Sequence, residues 1–321
     1  MPRYSSVNAK TVQIVEVGAR DGLQNEPEII STEDKVTLIT RAMAAGVNRL
    51  EVASFVHPKR VPQMADAEAV IEALPDDKDT SYIGLCLNKR GVMRGLATRE
   101  GGKRGIDEAG CVIVATDTFG MKNQGQTVED GIRENQEMIR LAKAEGLIAQ
   151  VTISASFGCP FEGEVDPQKV VDIAKAMADA EPAEIALADT IGVGVPPQVT
   201  DLVGRVREVI GDIRLRAHFH NTRNTGIANA LAAAQAGVDV LDSSVAGLGG
   251  CPFAPKATGN IGTEDLIYIL DRSGIAHGVD LEQIIDLAGW VEGVLGRPTP
   301  AMVSKAGGFP QSQSEKDAIC A

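Results

Sequence analysis

Cysteine is scarce in this sequence and widely scattered. The five present, Cys86, Cys111, Cys159, Cys251 and Cys320, are an odd number and include no CxxC pair, a pattern that fits neither a disulfide framework nor a zinc knuckle. Cationic residues are in deficit: 31 Lys and Arg stand against 44 Asp and Glu, for a formal net charge of −13 and a sequence pI near 4.9. A phosphate backbone attracts clustered Lys and Arg, so no nucleic-acid partner is expected. A local group of cations can still hold a small anion. No window approaches the roughly 18 uninterrupted apolar residues of a membrane helix, and the opening MPRYSSVNAK has no apolar stretch of the signal-peptide kind. A cytoplasmic protein with no membrane partner is the expectation. With 44% hydrophobic residues, the chain can build its core without disulfides.

What is present is alternation. Strand-like runs occur at 11–18, 47–54, 81–87, 111–116, 148–156, 184–189, 214–220 and 238–245, and amphipathic helical patterns intervene, among them 32–45, 128–145, 167–180 and 226–235. AAGVNRLE and QAGVDVLD are near twins in which a helix gives way to a strand at Gly46 and Gly237, and glycine accepts the left-handed turn found at such ends. Ser31 followed by acidic residues is a good helix start. Eight strands alternating with helices predict a (β/α)8 TIM barrel of the α/β class; a doubly wound open sheet is the rival. GLGG at 247–250 lacks the GxGxxG spacing behind the first strand, which disfavours a dinucleotide fold. No linker divides the chain, so 1–321 reads as a single catalytic domain. The barrel occupies about 10–275, and a C-terminal helical extension with a tail fills 276–321.

The C-terminal strand ends of such a barrel carry the active site. Read at those ends, the sequence delivers Arg20, Asp21 and Gln24, then Glu51, Asn88, Ser154 and Asp189. His218, His220, Asn221 and Arg223 follow, and finally Cys251 and Asn260 in a glycine-rich loop. The opposite ends read mostly as Gly, Ala, Val and Asn. Alternate strand residues face one side, so His218 and His220 point together. Two imidazoles with a carboxylate and an amide oxygen form a mixed N/O set, better suited to Mg²⁺, Mn²⁺ or Co²⁺ than to a structural zinc. The plain alternative is a histidine in the barrel core bonded to a carbonyl. Arg20 can stabilise an oxyanion or brace Glu51 or Asp189. Cys251 is either a small residue in a turn or an acid on a closing loop.

VGARDGLQNE, SFVHPKRVPQMAD, GCPFEG, ADTIGVG and SVAGLGGCPFAPKATGN, in this order over roughly 10–300, together resemble 3-hydroxy-3-methylglutaryl-CoA lyase, a divalent-metal barrel related to the isopropylmalate and homocitrate synthases. The resemblance implies retro-Claisen cleavage of an acyl-CoA thioester to acetoacetate and acetyl-CoA, and a homodimer. It also implies metal ligands Asp21, His218, His220 and Asn260. Arg20 would hold the thioester oxygen, Glu51 and Asp189 would lie beside the substrate hydroxyl, and Cys251 would help protonate the enolate. Gln24 and Asn88 would be second-layer or substrate-side groups. Cleaving the carbon–carbon bond requires the substrate hydroxyl to lose its proton, and His218 or Asp189 is the expected base.

The match is weakest in HFHNTRN (218–224), where the lyases carry His-Cys-His-Asp-Thr-Tyr-Gly. Asn221 resembles the synthases instead, and Arg223 matches neither group. Pro27, His57 and Arg60 also depart from the lyase pattern. Guanidinium binds carboxylates bidentately, so Arg223 and Asn221 suggest an alternative substrate with its carboxylate on the carbinol carbon, such as citramalyl-CoA, giving pyruvate. A Claisen-condensing synthase and a barrel that only binds are the remaining readings.

Overall fold

All eight expected strands form and close into a parallel barrel in chain order, with the last hydrogen-bonded to the first. The computed structural model describes residues 11–250 and 259–310. The strands are β1 (Gln13–Glu16), β2 (Arg49–Ser54), β3 (Ser81–Cys86), β4 (Glu108–Val114), β5 (Ile148–Ser154), β6 (Glu184–Asp189), β7 (Arg214–Phe219) and β8 (Val240–Ser243). Helices α1 (Thr32–Ala44), α2 (Ala67–Ala73), α3 (Lys89–Ala97), α4 (Asp117–Asn123), α5 (Val128–Ala144), α6 (Pro167–Ala178), α7 (Pro196–Ile210) and α8 (Gly226–Ala236) fill the crossovers, α4 and α5 sharing one. After β8 come α9 (Thr263–Ser273), α10 (Leu281–Leu295) and α11 (Val303–Ala306). The open-sheet alternative is excluded by the closure.

Local chemistry explains the boundaries. The Ser31 and Thr127 hydroxyls accept the backbone N–H of Asp34 and Asp130 at 3.0 and 3.2 Å, capping α1 and α5. Gly46 and Gly237 adopt φ of 95° and 103°, so the twin motifs do mark helix-to-strand turns. β1 is shorter than its apolar run because residues Gly18–Gly22 coil into a π-helical turn. That turn presses on the segment after β8: a Cβ on Gly22 would lie 2.7 Å from Ser244 Oγ. Between β2 and β3 the pairing skips one residue between Glu51 and Ala53, a bulge of the kind that re-aims a side chain at a barrel rim.

Residues with a two-fold alternation separate two apolar regions. Ile14, Leu50, Tyr82, Ile113 and Ile153 join the main core with the helices, while Val15, Val17, Ile83 and Val240 form a small separate cluster. The lower strand ends are not the small neutral residues expected. Arg49, Glu108 and Glu184 each open a strand and are buried. Arg49 clasps Glu108 through two hydrogen bonds of 2.8 and 2.6 Å and donates a third, of 2.7 Å, to Glu184. Gln150 adds a bond to Glu108 at 2.9 Å. A buried charge persists only with partners, and an isolated Arg or Glu at a strand start gives no sign that its partners sit on strands 59 or 135 residues away.

Candidate active site

Asp21, His218 and His220 converge at the top of the barrel, each offering a ligand atom within 4.8 Å of the others. The π-helical turn brings Asp21 over the opening, and β7 presents both imidazoles on one face, 5.2 Å apart between ring centroids. The Nε2 atoms of both histidines lie 3.9 Å from Asp21 Oδ2. Asn260 joins them: its amide donates to Asp21 Oδ2 at 2.9 Å and to the Leu248 carbonyl at 3.0 Å. Its own Oδ1 is buried without a partner. A buried, unpaired amide oxygen beside a carboxylate and two imidazoles is a set that a divalent cation completes.

Arg20 is tied on both sides, donating to Asp21 at 2.6 Å and to Glu51 at 2.7 Å. Burial works to lower its pKa, but Glu51 and Asp21 outweigh burial and hold it above its ordinary value. Burial likewise opposes ionisation of Asp21, yet Arg20 and the two imidazoles keep that carboxyl well below the usual range. His218 Nδ1 faces Asp242 Oδ2 at 3.1 Å. Burial disfavours the charged imidazole, but Asp242 raises its pKa overall. Asp242 was missed in the sequence because it lies within an apolar strand pattern; its place one strand from the His-x-His pair was the available signal.

The remaining predicted residues divide. Arg20, Asp21, Gln24, Glu51, His218 and His220 line a cavity of about 420 Å³, together with Asn25, Ser54, Cys111, Thr152, Ser154, Arg216 and Asp242. Asp189 is fully buried, and its two oxygens accept the backbone N–H groups of Val193 and Gly194, both at 2.9 Å. It holds the loop after β6 and is not among the cavity's lining residues. Asn88 caps α3, accepting from the Gly91 N–H at 3.0 Å, and lines a second cavity of about 650 Å³ that shares Val56, Arg60, Leu87 and Asn123 with the first. Asn221 accepts the Gly226 N–H at 3.1 Å, and Arg223 donates to the Ile191 and Gly192 carbonyls, both at 3.0 Å. Neither lines the first cavity, so the expectation that they touch substrate is not met by their contacts. Cys251 and Cys320 lie outside the described residues.

The glycines flanking Cys251 have a steric reason. A Cβ on Gly259, whose φ is 91°, would lie 2.2 Å from the Gly249 carbonyl oxygen. A Cβ on Gly249, whose φ is 134°, would lie 2.6 Å from Asn260 Nδ2. Gly249 and Gly259 therefore cross in backbone contact beside Asn260 and the Asp21–histidine cluster. Asn25, which the sequence reading passed over, donates to the Gly250 carbonyl at 2.8 Å.

Known proteins agree with this geometry. The HMGL-like family profile matches residues 11–291. An (R)-citramalyl-CoA lyase of Chloroflexus aurantiacus is 40% identical over 313 residues, covering 94% of this chain and 97% of its own length. Hydroxymethylglutaryl-CoA lyase YngG of Bacillus subtilis is 37% identical over 292 residues, covering 91% and 96%. The solved structure of an HMG-CoA lyase from Acinetobacter baumannii, in complex with coenzyme A and 3-methylmalate, superposes with a TM-score of 0.88 at 34% identity, covering 96% of this chain and all of that one. The barrel, the convergent ligand set and the extent of these matches place this chain in the HMGL-like family.

Proposed function

We propose that the protein is a carbon–carbon lyase that cleaves a carboxylated 3-hydroxyacyl-CoA by a retro-Claisen reaction, taking 3-hydroxy-3-methylglutaryl-CoA to acetoacetate and acetyl-CoA. The convergence of Asp21, His218, His220 and the unpaired Asn260 oxygen beside Arg20 carries this reading. A divalent cation such as Mg²⁺, Mn²⁺ or Co²⁺, held by these four residues, would supply Lewis-acid polarisation of substrate oxygens. Glu51, which borders the cavity, is the base in this reading: one oxygen accepts from Arg20, and the other accepts no hydrogen bond among the described residues. Asp189 is occupied by its loop, and His218 by Asp242. As the hydroxyl proton moves to Glu51, the bond between the carbinol carbon and the thioester methylene breaks. Its electrons pass into the thioester, and Arg20 faces the enolate oxygen as charge develops. A proton from Cys251 or water then completes acetyl-CoA. The second cavity, lined by Arg60, Arg90 and Arg94, suits the CoA phosphates.

A second reading, citramalyl-CoA cleaved to pyruvate and acetyl-CoA, is favoured by the 40% identical relative. A relative that holds 3-methylmalate, whose carboxylate sits on the carbinol carbon, supports it as well. In both readings the protein is one catalytic unit, a cytoplasmic homodimer; among the described residues no helix is long and apolar enough to cross a membrane, and light scattering reads the assembly. The deciding assay offers methylglutaryl-CoA and both citramalyl-CoA enantiomers with Mg²⁺ and identifies the keto acid. Acetoacetate supports the first reading and pyruvate the second. Release of neither, from metal-loaded protein, overturns the lyase assignment. Arg20→Gln should lower kcat by about 10²–10³-fold, the usual cost of removing one oxyanion donor.

A further inference from the structure

The substrates named above carry a free carboxylate, and the cavity has to receive it. Three arginines line the cavity: Arg20, Arg60 and Arg216. Arg20 is committed to Asp21 and Glu51 at 2.6 and 2.7 Å. Arg60 is exposed at the mouth. Arg216 is buried, on β7 two residues below His218. By strand alternation both side chains face the same way, and two residues span about 6.6 Å of strand. A carboxylate near a carbinol carbon held at the Asp21–histidine cluster would hang over this guanidinium.

Arg216 is built differently from the other buried arginine. Arg49 makes three hydrogen bonds of 2.6 to 2.8 Å, two of them a fork on one carboxylate. Arg216 makes two hydrogen bonds, a long one to Asp242 Oδ1 at 3.4 Å and an ordinary one to the neutral Thr152 Oγ1 at 3.1 Å. Its Nε approaches Glu184 Oε1 to 3.1 Å without a hydrogen-bonding angle, and both atoms are left unpartnered. A guanidinium has five N–H donors in a fixed fork, so most of this one's capacity is unused although the group is buried. Space is provided as well. Thr152 on β5 pairs in register with Ala186 on β6, which pairs with Arg216 on β7, so the residue between the hydroxyl and the guanidinium is only an alanine.

We infer that Arg216 and Thr152 form the subsite for the substrate's free carboxylate, which makes Arg216 the residue that selects thioesters of 3-hydroxy dicarboxylic acids over those of simple 3-hydroxy acids. The thioester half of this inference rests on the lyase reading above. The sequence pointed to Arg223 for this task, but Arg223 faces backbone carbonyls, whereas Arg216 lines the cavity.

The test compares 3-hydroxyglutaryl-CoA with 3-hydroxybutyryl-CoA, which differ only by the carboxylate, by titration calorimetry into metal-loaded wild type, Arg216→Gln, Arg216→Lys and Thr152→Val. Wild type should favour the carboxylated ligand by roughly 10- to 100-fold, the worth of a buried charge-assisted hydrogen bond. Arg216→Gln should erase most of that ratio, whatever it does to both affinities together through Asp242; Arg216→Lys and Thr152→Val should each erase part of it. If Arg216 only braces Glu184 and Asp242, its replacement weakens both ligands equally or neither, and the inference is overturned. Should Arg216→Gln not fold, Thr152→Val and Arg216→Lys decide by the same ratio. Failure of the lyase reading shows separately, as wild type that binds but cleaves nothing.

Discussion

Asp242 and His218 sit on adjacent strands with Oδ2 3.1 Å from Nδ1. The carboxylate stays ionised because Arg216 and His218 outweigh its burial, and its contact leaves the opposite imidazole nitrogen, Nε2, to face Asp21. An acceptor behind a ligating histidine fixes its tautomer and its direction.

Replacing Asp242 should therefore loosen the metal site without removing a ligand. Asp242→Asn is expected to weaken Mn²⁺ affinity about 10- to 100-fold, the range seen when such supporting groups are lost. Calorimetric titration of Mn²⁺ into EDTA-stripped protein checks this with no substrate present; unchanged affinity would remove Asp242 from the metal site.

Arg49 does not line the cavity, though it shares Glu184 with Arg216, and should matter chiefly for stability. Arg49→Met leaves Glu108 and Glu184 buried without their main cation. Breaking a buried pair from one side costs about 3–5 kcal/mol. Urea unfolding should show a loss of that size, while KM for the thioester in the folded fraction should stay within about twofold, since Arg49 does not line the cavity.

The barrel and most of the site were legible because they rest on local patterns. Alternation, glycine punctuation and His-x-His spacing each put their signal within a few residues. What the sequence concealed is long-range. Arg49, Glu108, Glu184, Arg216 and Asp242 gain meaning only when closure brings their five strands around one axis, and each alone looks like a surface charge. Asp189, Asn221 and Arg223, expected at the substrate, share one feature. Each lies at the expected rim, but its hydrogen bonds go to backbone, those of Asp189 and Arg223 to the loop after β6 and that of Asn221 to the Gly226 N–H, and position along a strand does not reveal where a side chain's hydrogen bonds go.

The loop that carries Cys251 should depend on its glycine ends. Gly259→Ala places a Cβ 2.2 Å from the Gly249 oxygen at a φ of 91°, where the backbone strain alone is of order 1–3 kcal/mol. The crossing lies at the barrel rim, where the Gly259 carbonyl accepts the Asn221 N–H at 2.8 Å just past β7. The expected result is a kcat drop of tenfold or more with a fall in Tm of only a few degrees, within the range of about 2–4 °C per kcal/mol for proteins somewhat smaller than this one. A variant with full activity would mean that the crossing does not position the loop.

Two buried acids behind the π-helical turn predict an alkaline weakness. Glu16 receives the Gly18 and Val245 N–H groups and the Thr263 hydroxyl, and burial pushes its pKa up to about 7. Glu264 receives the Ala246 N–H, and burial pushes its pKa up to about 8. Both start from 4.5, so the folded state holds their protons more tightly than the unfolded chain. Their stabilisation is complete below about 4.5 and is lost as pH rises through 7 for Glu16 and 8 for Glu264. Calorimetric Tm of the metal-free protein should decline from pH 5 to 8, and Glu264→Gln should flatten the upper part of that decline. A Tm that rises across this interval in wild type would contradict the assignment.

Arg223→Ala separates the two arginines that could serve the same carboxylate. Arg223 is exposed, and its contacts are the Ile191 and Gly192 carbonyls. Its loss removes charge-assisted bonds to a loop whose other anchor, Asp189, remains in place. The ratio of kcat/KM for methylglutaryl-CoA over citramalyl-CoA should therefore move by less than about twofold, against a loss of about 1–2 kcal/mol in stability. Measured beside Arg216→Gln, the pair forms an internal control. A shift in substrate preference that followed Arg223 and not Arg216 would return the specificity to HFHNTRN and require the side chain to swing off its carbonyls when substrate binds.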